Sequence, residues 1–234
     1  MSGHLNPGGQ QFRDDGGAAD PSVRTALAAY HAGQGSEQDA LIALAAARLL
    51  VPVVATLADG SAAEGDKNSE MALPTLIGHD GRPAVLAFTG LDTLARWRPS
   101  ARPVPAEADR VWRAAVADGC AVVIDVAGPV PLAVEGARLA ALAAGQAVPP
   151  VYEDGDVRAE VEAAIAAEPM ITGFSLAPSQ QVDLAVRLRL AAANRVGGDW
   201  RPVVNRAAQG IAGRLAVRLR RGVEFSVTRD AVGS

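Results

Sequence analysis

Few residues in this chain are of the kinds that make or break bonds. Histidine occurs three times, at His4, His31 and His79, and cysteine once, at Cys120. A zinc site gathers His, Cys, Asp or Glu at workable spacing. No two of these residues stand at such spacing, so neither a metal nor a cofactor is expected. A nucleophile–His–acid constellation needs an oriented imidazole. His79 stands beside Asp80 at a turn tip, the setting of a solvated turn residue. Ser175 lacks the Gly-x-Ser-x-Gly elbow that presents a nucleophilic serine. Cys120 opens the run Ala121-Val-Val-Ile124 and reads as a small core residue, with no cationic neighbour in sequence to lower its thiol pKa. The glycine pairs Gly8-Gly9, Gly16-Gly17 and Gly197-Gly198 fall in loops or near the N-terminus. None forms the phosphate cradle of a strand–Gly-rich loop–helix unit.

Two groups of residues remain as candidates for recognition. Asp125 ends an apolar strand, where a polar side chain either faces a ligand crevice or caps the turn before Gly128. Trp97-Arg98 pairs two side chains favoured as interface anchors, and Thr89 leads into the helix that carries them. Thr89, Trp97, Arg98 and Asp125 form the candidate binding surface. The second group is a row of arginines, Arg206, Arg214, Arg218 and Arg221, on a C-terminal helix. Clustered arginines neutralise phosphates, but no aromatic residue interleaves with them, and a solvated or docked face is the simpler reading.

The elements that must hold these residues follow from composition and pattern. The 234 residues are 49% hydrophobic and 21% charged, an ordinary globular balance. Aromatics are only 4%, so the core must be built from Ala, Val, Leu and Ile. One cysteine allows no internal disulfide, which fits a reducing, cytoplasmic compartment. The N-terminus has no secretory pattern, and no apolar run is long enough to span a bilayer. The formal net charge is -4, yet Ala185–Ser234 holds ten arginines against three acids.

Along the chain, residues 1–20 read as a disordered tail. Pro21 opens a helix with Val23, Leu27 and Tyr30 on one side. Ser36 and Asp39 resemble a capping box ahead of a second helix carrying Leu41, Leu44, Ala45 and Arg48. Leu49–Leu57 is a strand whose Pro52 favours an edge position or its start. Asp59–Glu70 is a polar loop. Leu73–Ile77 and Pro83–Phe88 flank Gly78–Arg82, where Asp80-Gly81 suits a hairpin turn. Thr89 and Asp92 read as cap and reciprocal acid of a short helix through Trp97. Pro105 stands where the next helix can begin, with Ala108, Val111, Trp112 and Ala115 inward. The strand Cys120–Val126, a turn at Gly128-Pro129 and a helix Glu135–Ala144 follow. Pro149-Pro150 marks a linker, residues 146–156. The remainder, residues 157–229, reads as α-β-β-α-β, with Asp199 capping a long helix to about Arg221.

The stretch Leu73–Pro99, with its hairpin, its Phe88-Thr89 step and its helix ending at Trp97, resembles the N-terminal domain of the SseB family of bacterial proteins. Gly119–Val126 followed by Gly128-Pro129 is similar to the strand that ends in an Asn-Pro-Gly turn in many members, with Asp125 in place of the Asn. Residues 36–145 carry the resemblance best, and 156–229 is similar to the C-terminal part of actinobacterial members. The resemblance implies a fold and no reaction.

The sequence therefore predicts an α+β protein: an SseB-like domain over 21–145 with a mixed sheet and flanking helices, and a small α+β domain over 157–229. It predicts a non-enzymatic binding or regulatory role with a protein partner rather than nucleic acid or membrane. The alternatives are a nucleic-acid-associated protein using the arginine face, and an enzyme of unrecognised type using Asp125 and His79.

Overall fold

A computed structural model describes residues 15–56, 70–72, 74–78, 81–192 and 199–229. The elements run α1 (Pro21–His31), α2 (Glu37–Ala45), β1 (Arg48–Thr56), β2 (Glu70–Ala72), β3 (Thr75–Ile77), β4 (Pro83–Ala87), α3 (Leu91–Trp97), β5 (Arg102–Glu107), α4 (Ala108–Ala117), β6 (Ala121–Ile124), β7 (Leu132–Val134), α5 (Gly136–Ala143), a 3-10 turn (Val151–Glu153), α6 (Gly155–Ile165), β8 (Ile171–Ala177), β9 (Leu184–Leu190), α7 (Arg201–Leu215) and β10 (Val223–Arg229). This is an α+β fold. None of the helices is long and apolar enough to cross a membrane among the described residues.

The chain divides into two compact units, Met1–Ala28 with Leu41–Val148, and Ala29–Ala40 with Pro149–Ser234. In the first unit the described strands form two sheets, ordered β2-β1-β5 and β3-β4-β6-β7. β4 and β6 run parallel, with Ala87 opposite Ile124 at their shared carboxyl end. The hairpin β3–β4 closes through Gly78 N–H to Arg82 O at 2.8 Å, and Gly81 supplies φ +79; His79 and Asp80 lie outside the described residues.

Pro52 sits within β1, not at its start, and faces Pro103 of β5, while Leu50 faces Pro105. Prolines two apart on β5 both turn their missing N–H away from β1, so the ladder loses no donor there. The same alternation leaves Leu50 free to exchange bonds with Phe88 on its other side, N–H to O at 2.7 Å and the reverse at 2.8 Å. This corrects the reading of Pro105 as a helix start: the helix begins at Ala108. Around this frame Leu49, Leu86, Phe88, Trp112, Val122, Ile124, Val134 and Leu139 are buried.

The second unit holds the sheet β10-β9-β8. Leu184, Val186, Leu188 and Leu190 of β9 face Val157 and Val161 of α6 and Val204, Ala207, Ile211 and Leu215 of α7. The predicted α-β-β-α-β order is the one observed.

Several local readings are corrected. Asp15–Asp20 is not part of a disordered tail but is bonded to the first unit, as shown below. Arg48 begins β1 instead of ending α2. The short strand β7 intervenes between the Gly128 turn and α5. Residues 146–156 are not a plain linker: they contain the 3-10 turn, and Asp154, 1% exposed, caps α6 by accepting from Asp156 N–H. α7 ends at Leu215 rather than near Arg221. The Ser36–Asp39 capping box is present as read, with Asp39 N–H on Ser36 Oγ and Ser36 N–H on Asp39 Oδ2, each at 3.1 Å.

Candidate functional site

β4 and β6 end side by side, and the residues that leave them meet. Asp125 N–H donates to Ala87 O at 2.9 Å. The Asp125 backbone then enters the left-handed region at φ 49, which Asp tolerates better than most residues. Its carbonyl accepts from Gly128 N–H at 2.7 Å. A Cβ on Gly128 would stand 3.0 Å from both the Cβ and the carbonyl oxygen of Asp125, so this turn is tight enough to favour glycine.

The Asp125 side chain points back at the end of β4. Oδ1 accepts from Thr89 N–H at 2.9 Å and from Thr93 Oγ1 at 2.5 Å, and Oδ2 accepts from Thr89 Oγ1 at 2.6 Å. Thr89, Thr93 and Asp125 are each about 5% exposed or less. Burial pushes the Asp125 carboxyl above its ordinary range; the Thr89 and Thr93 bonds oppose that, and the charge of Asp92 adds to it. Both oxygens are engaged and neither reaches solvent, so the group is not presented as a general base. It fixes Thr89 and Thr93, and with them the entry into α3. Thr89 therefore does not cap α3: its hydroxyl is taken by the carboxylate, and Gly90 occupies the cap position without a side-chain bond.

Thr89 is held from its other side by Arg48. Nη1 donates to Thr89 O at 2.9 Å, Nη2 donates to Asp15 Oδ1 at 3.0 Å and to Ala18 O at 2.5 Å, and Nε lies 2.6 Å from Asp15 Oδ2. An open depression of about 290 Å³ is lined by Asp15, Ala18, Asp20 and Arg48.

Trp97 ends α3, and its half-buried ring lies 5.6 Å from that of Phe88. Arg98 leaves the helix in an extended conformation, and its exposed guanidinium stands 5.0 Å from the Trp97 ring centroid. The structure thus groups Thr89 with Asp125 at one end of α3 and Trp97 with Arg98 at the other, about 10 Å apart at 1.5 Å per residue. Sequence reasoning missed Thr93 and Arg48. Thr93 carried a signal, a β-branched polar residue four after Thr89 on the apolar side of a short helix. Arg48 carried only its place at the head of an apolar strand.

Three of the four arginines of the row, Arg206, Arg214 and Arg218, are paired with carboxylates within the second unit. Arg206 makes two 2.9 Å bonds to Glu168, and the pairing holds the Glu168 carboxyl below its usual range. Arg214 meets Glu160 at 2.9 Å. Arg218 bridges Glu37 at 3.0 Å and Asp154 at 2.7 Å. Arg221 donates its backbone N–H to Asp183 and its side chain to Gln180 O. Among the described residues no group of three or more His, Cys, Asp or Glu could hold a metal. Cys120 is half-buried rather than core, and burial together with the charge of Asp118 pushes its thiol pKa up, away from a reactive thiolate.

No curated protein and no solved structure was found to match the chain. The family model for the SseB protein N-terminal domain matches residues 23–141, from α1 into α5. That stretch is just over half of the chain and contains the parallel strand pair, the Asp125 turn and α3, and on it the chain belongs to the SseB family.

Proposed function

We propose that the chain is a binding protein, without catalysis of its own, whose first unit engages a protein partner through Trp97 and Arg98. The observation that carries this reading is the exposed Arg98 guanidinium stacked on the Trp97 ring at 5.0 Å. Trp and Arg are favoured anchors of interfaces. A cation held over an indole loses less freedom on binding than a free side chain does, which raises affinity through preorganisation. Beneath it, the Thr89–Thr93–Asp125 cluster spends its polar groups on fixing α3. In this reading Asp125 supports the surface and does not contact the partner.

The test compares capture of partner protein from extracts of the native host by the wild-type chain and by Arg98→Ala and Arg98→Glu. Arg98 is exposed, so both variants are expected to melt as the parent does. Capture is expected to fall about tenfold, equivalent to about 1.4 kcal/mol. Variants that fold and capture the same proteins in the same amounts remove this surface from consideration.

Against a phosphate-binding role for the arginine row stands its pairing with Glu168, Glu160, Glu37 and Asp154. Phosphate binding would have to displace these carboxylates. A mobility shift of DNA or RNA at low salt by micromolar protein would revive that role.

A further inference from the structure

Residues 15–20 belong to no helix or strand, yet they lie in the first unit as a ligand lies in a receptor. Four features of the receptor side match four features of the segment. The Arg48 guanidinium takes both oxygens of the Asp15 carboxylate, at 2.6 and 3.0 Å. It also takes the Ala18 carbonyl at 2.5 Å. The Leu91 N–H takes the Gly17 carbonyl at 2.8 Å. Close backbone approach does the rest. Gly17 has φ +73, and a Cβ there would fall 2.3 Å from Leu91 Cδ1; a Cβ on Gly90 would fall 3.0 Å from Ala19 N.

Two further observations separate the receptor from its occupant. Arg48 is also fixed by Thr89 O at 2.9 Å, and Thr89 by Asp125, so the cation stays aimed without the segment. Asp20 caps α1 through Ser22 N–H at 2.7 Å, so the segment is anchored at its far end and can leave by swinging at Ala19. The open depression of about 290 Å³ is lined by Asp15, Ala18 and Asp20 of the segment together with Arg48, so it is formed by the segment and the cation jointly.

We propose that residues 15–20 are an internal pseudo-ligand occupying a peptide cleft formed by Arg48, Thr89, Gly90 and Leu91, and that the cleft receives an extended acidic peptide of a partner protein in its place. The recognised pattern is an acid, one residue, then glycine, with the exposed Ala18 position unselected. The acid pairs with arginine through one charge-assisted hydrogen bond to Oδ1 and the close approach of Nε to Oδ2, a contact that favours a carboxylate. The glycine is demanded by the left-handed backbone at φ +73, with the Leu91 side chain close beside it. The segment in cis competes with the ligand, so the free chain is self-closed. This cleft is separate from the Trp97–Arg98 surface.

The experiment uses the full chain and two labelled probes, the peptide Asp-Gly-Gly-Ala-Ala-Asp and its counterpart with leucine in the fourth position. Binding is read by fluorescence anisotropy, and the strap by hydrogen exchange at the Leu91 amide. In Asp15→Ala and Gly17→Val the Leu91 amide is expected to exchange faster, and the peptide to bind at least tenfold tighter than to wild type, with the leucine probe binding alike because the Ala18 position is exposed. Saturating peptide should restore protection. Adding Arg48→Gln should abolish binding, and adding Arg48→Lys, which keeps charge and loses the fork, should weaken it at least tenfold. Arg98→Ala should change nothing, which keeps failure here distinct from failure of the partner surface above. Unchanged exchange at Leu91 in both strap variants overturns the strap. Faster exchange without peptide binding, or binding indifferent to Arg48, overturns the cleft. A strap variant that forms dimers which the peptide dissociates identifies a second copy of the chain as the occupant and overturns a separate partner.

Discussion

Asp125 shows how one carboxylate can hold two strands and a helix. Its oxygens receive one amide and two hydroxyls, and leaving a buried donor unpaired costs about 1–3 kcal/mol. Asp125→Ala is expected to destabilise the chain by about 3 kcal/mol or more in urea denaturation. Asp125→Asn, which keeps one acceptor oxygen, should cost less and change the pH dependence. The folded-state pKa of Asp125 is raised by burial. Between the ordinary carboxylate range and that raised value, the folded chain holds a proton that the unfolded chain has released. Wild type therefore loses stability as pH rises through this window and regains it as pH falls. Asn cannot titrate, so the stability of wild type minus that of Asp125→Asn should grow as pH is lowered from neutral, then level off below the ordinary range. A flat difference, or one of opposite slope, would show that burial does not control this group. The sequence made Asp125 legible as the polar end of an apolar strand. It could not say that Thr93, thirty-two residues back, would claim the same oxygen, because that meeting depends on β4 and β6 lying parallel.

At the level of elements, α7 shows where pattern reading succeeds and where it overruns. Val204, Ile211, Leu215 and Leu219 are all buried, so the apolar stripe is real. The helix nevertheless ends at Leu215, and Leu219 reaches the core through a tightened turn in which Arg218 and Leu219 N–H both donate to Leu215 O. Spacing alone cannot distinguish that turn from continued helix. β5 was hidden for the opposite reason: Pro103 and Pro105 argue against a strand unless both fall on the side that needs no donor. The arginines of α7 and its following turn differ in environment, and their variants should differ accordingly. Arg218 is mostly buried between Glu37 and Asp154, which are 3% and 0% exposed at the side chain. Burial opposes its charge, but the two carboxylates outweigh this and hold its pKa above the usual value. Arg218→Ala removes the cation shared by two buried carboxylates and should cost about 3–5 kcal/mol. Arg206 is exposed while its partner Glu168 is partly buried, 13% exposed at the side chain, so Arg206→Ala should lower the urea midpoint far less than Arg218→Ala, with part of the effect lost in high salt. Equal effects from the two variants would contradict the assignment of burial.

For the molecule as a whole, the consequential feature is that the second unit is not contiguous. Ala29–Ala40 belongs with Pro149–Ser234, although the family match at 23–141 runs through it without a break. The apolar stripe of α1 predicted that Tyr30 would be buried, but not that its partners would stand nearly two hundred residues away. The Tyr30 hydroxyl lies 2.9 Å from Arg218 O and 3.1 Å from Val217 O, at the end of α7 where carbonyls lack helical partners. Arg220 lies over its ring at 5.7 Å, and Glu37 completes the Arg218 bridge. Residues 149–234 alone lack Tyr30 and Glu37. Losing a buried Tyr side chain and one partner of a buried ion pair removes several kcal/mol from a margin of roughly 5–15 kcal/mol. The fragment 149–234 is therefore expected to lack a sharp thermal transition and to show poorly dispersed amide resonances. The peptide Ala29–Ala40 added in trans, or fused through a flexible linker, should restore cooperative melting, and a peptide bearing Tyr30→Ala and Glu37→Ala should not. A fragment 149–234 that melts as cooperatively without residues 29–40 as with them would show that this segment rests on a domain already complete.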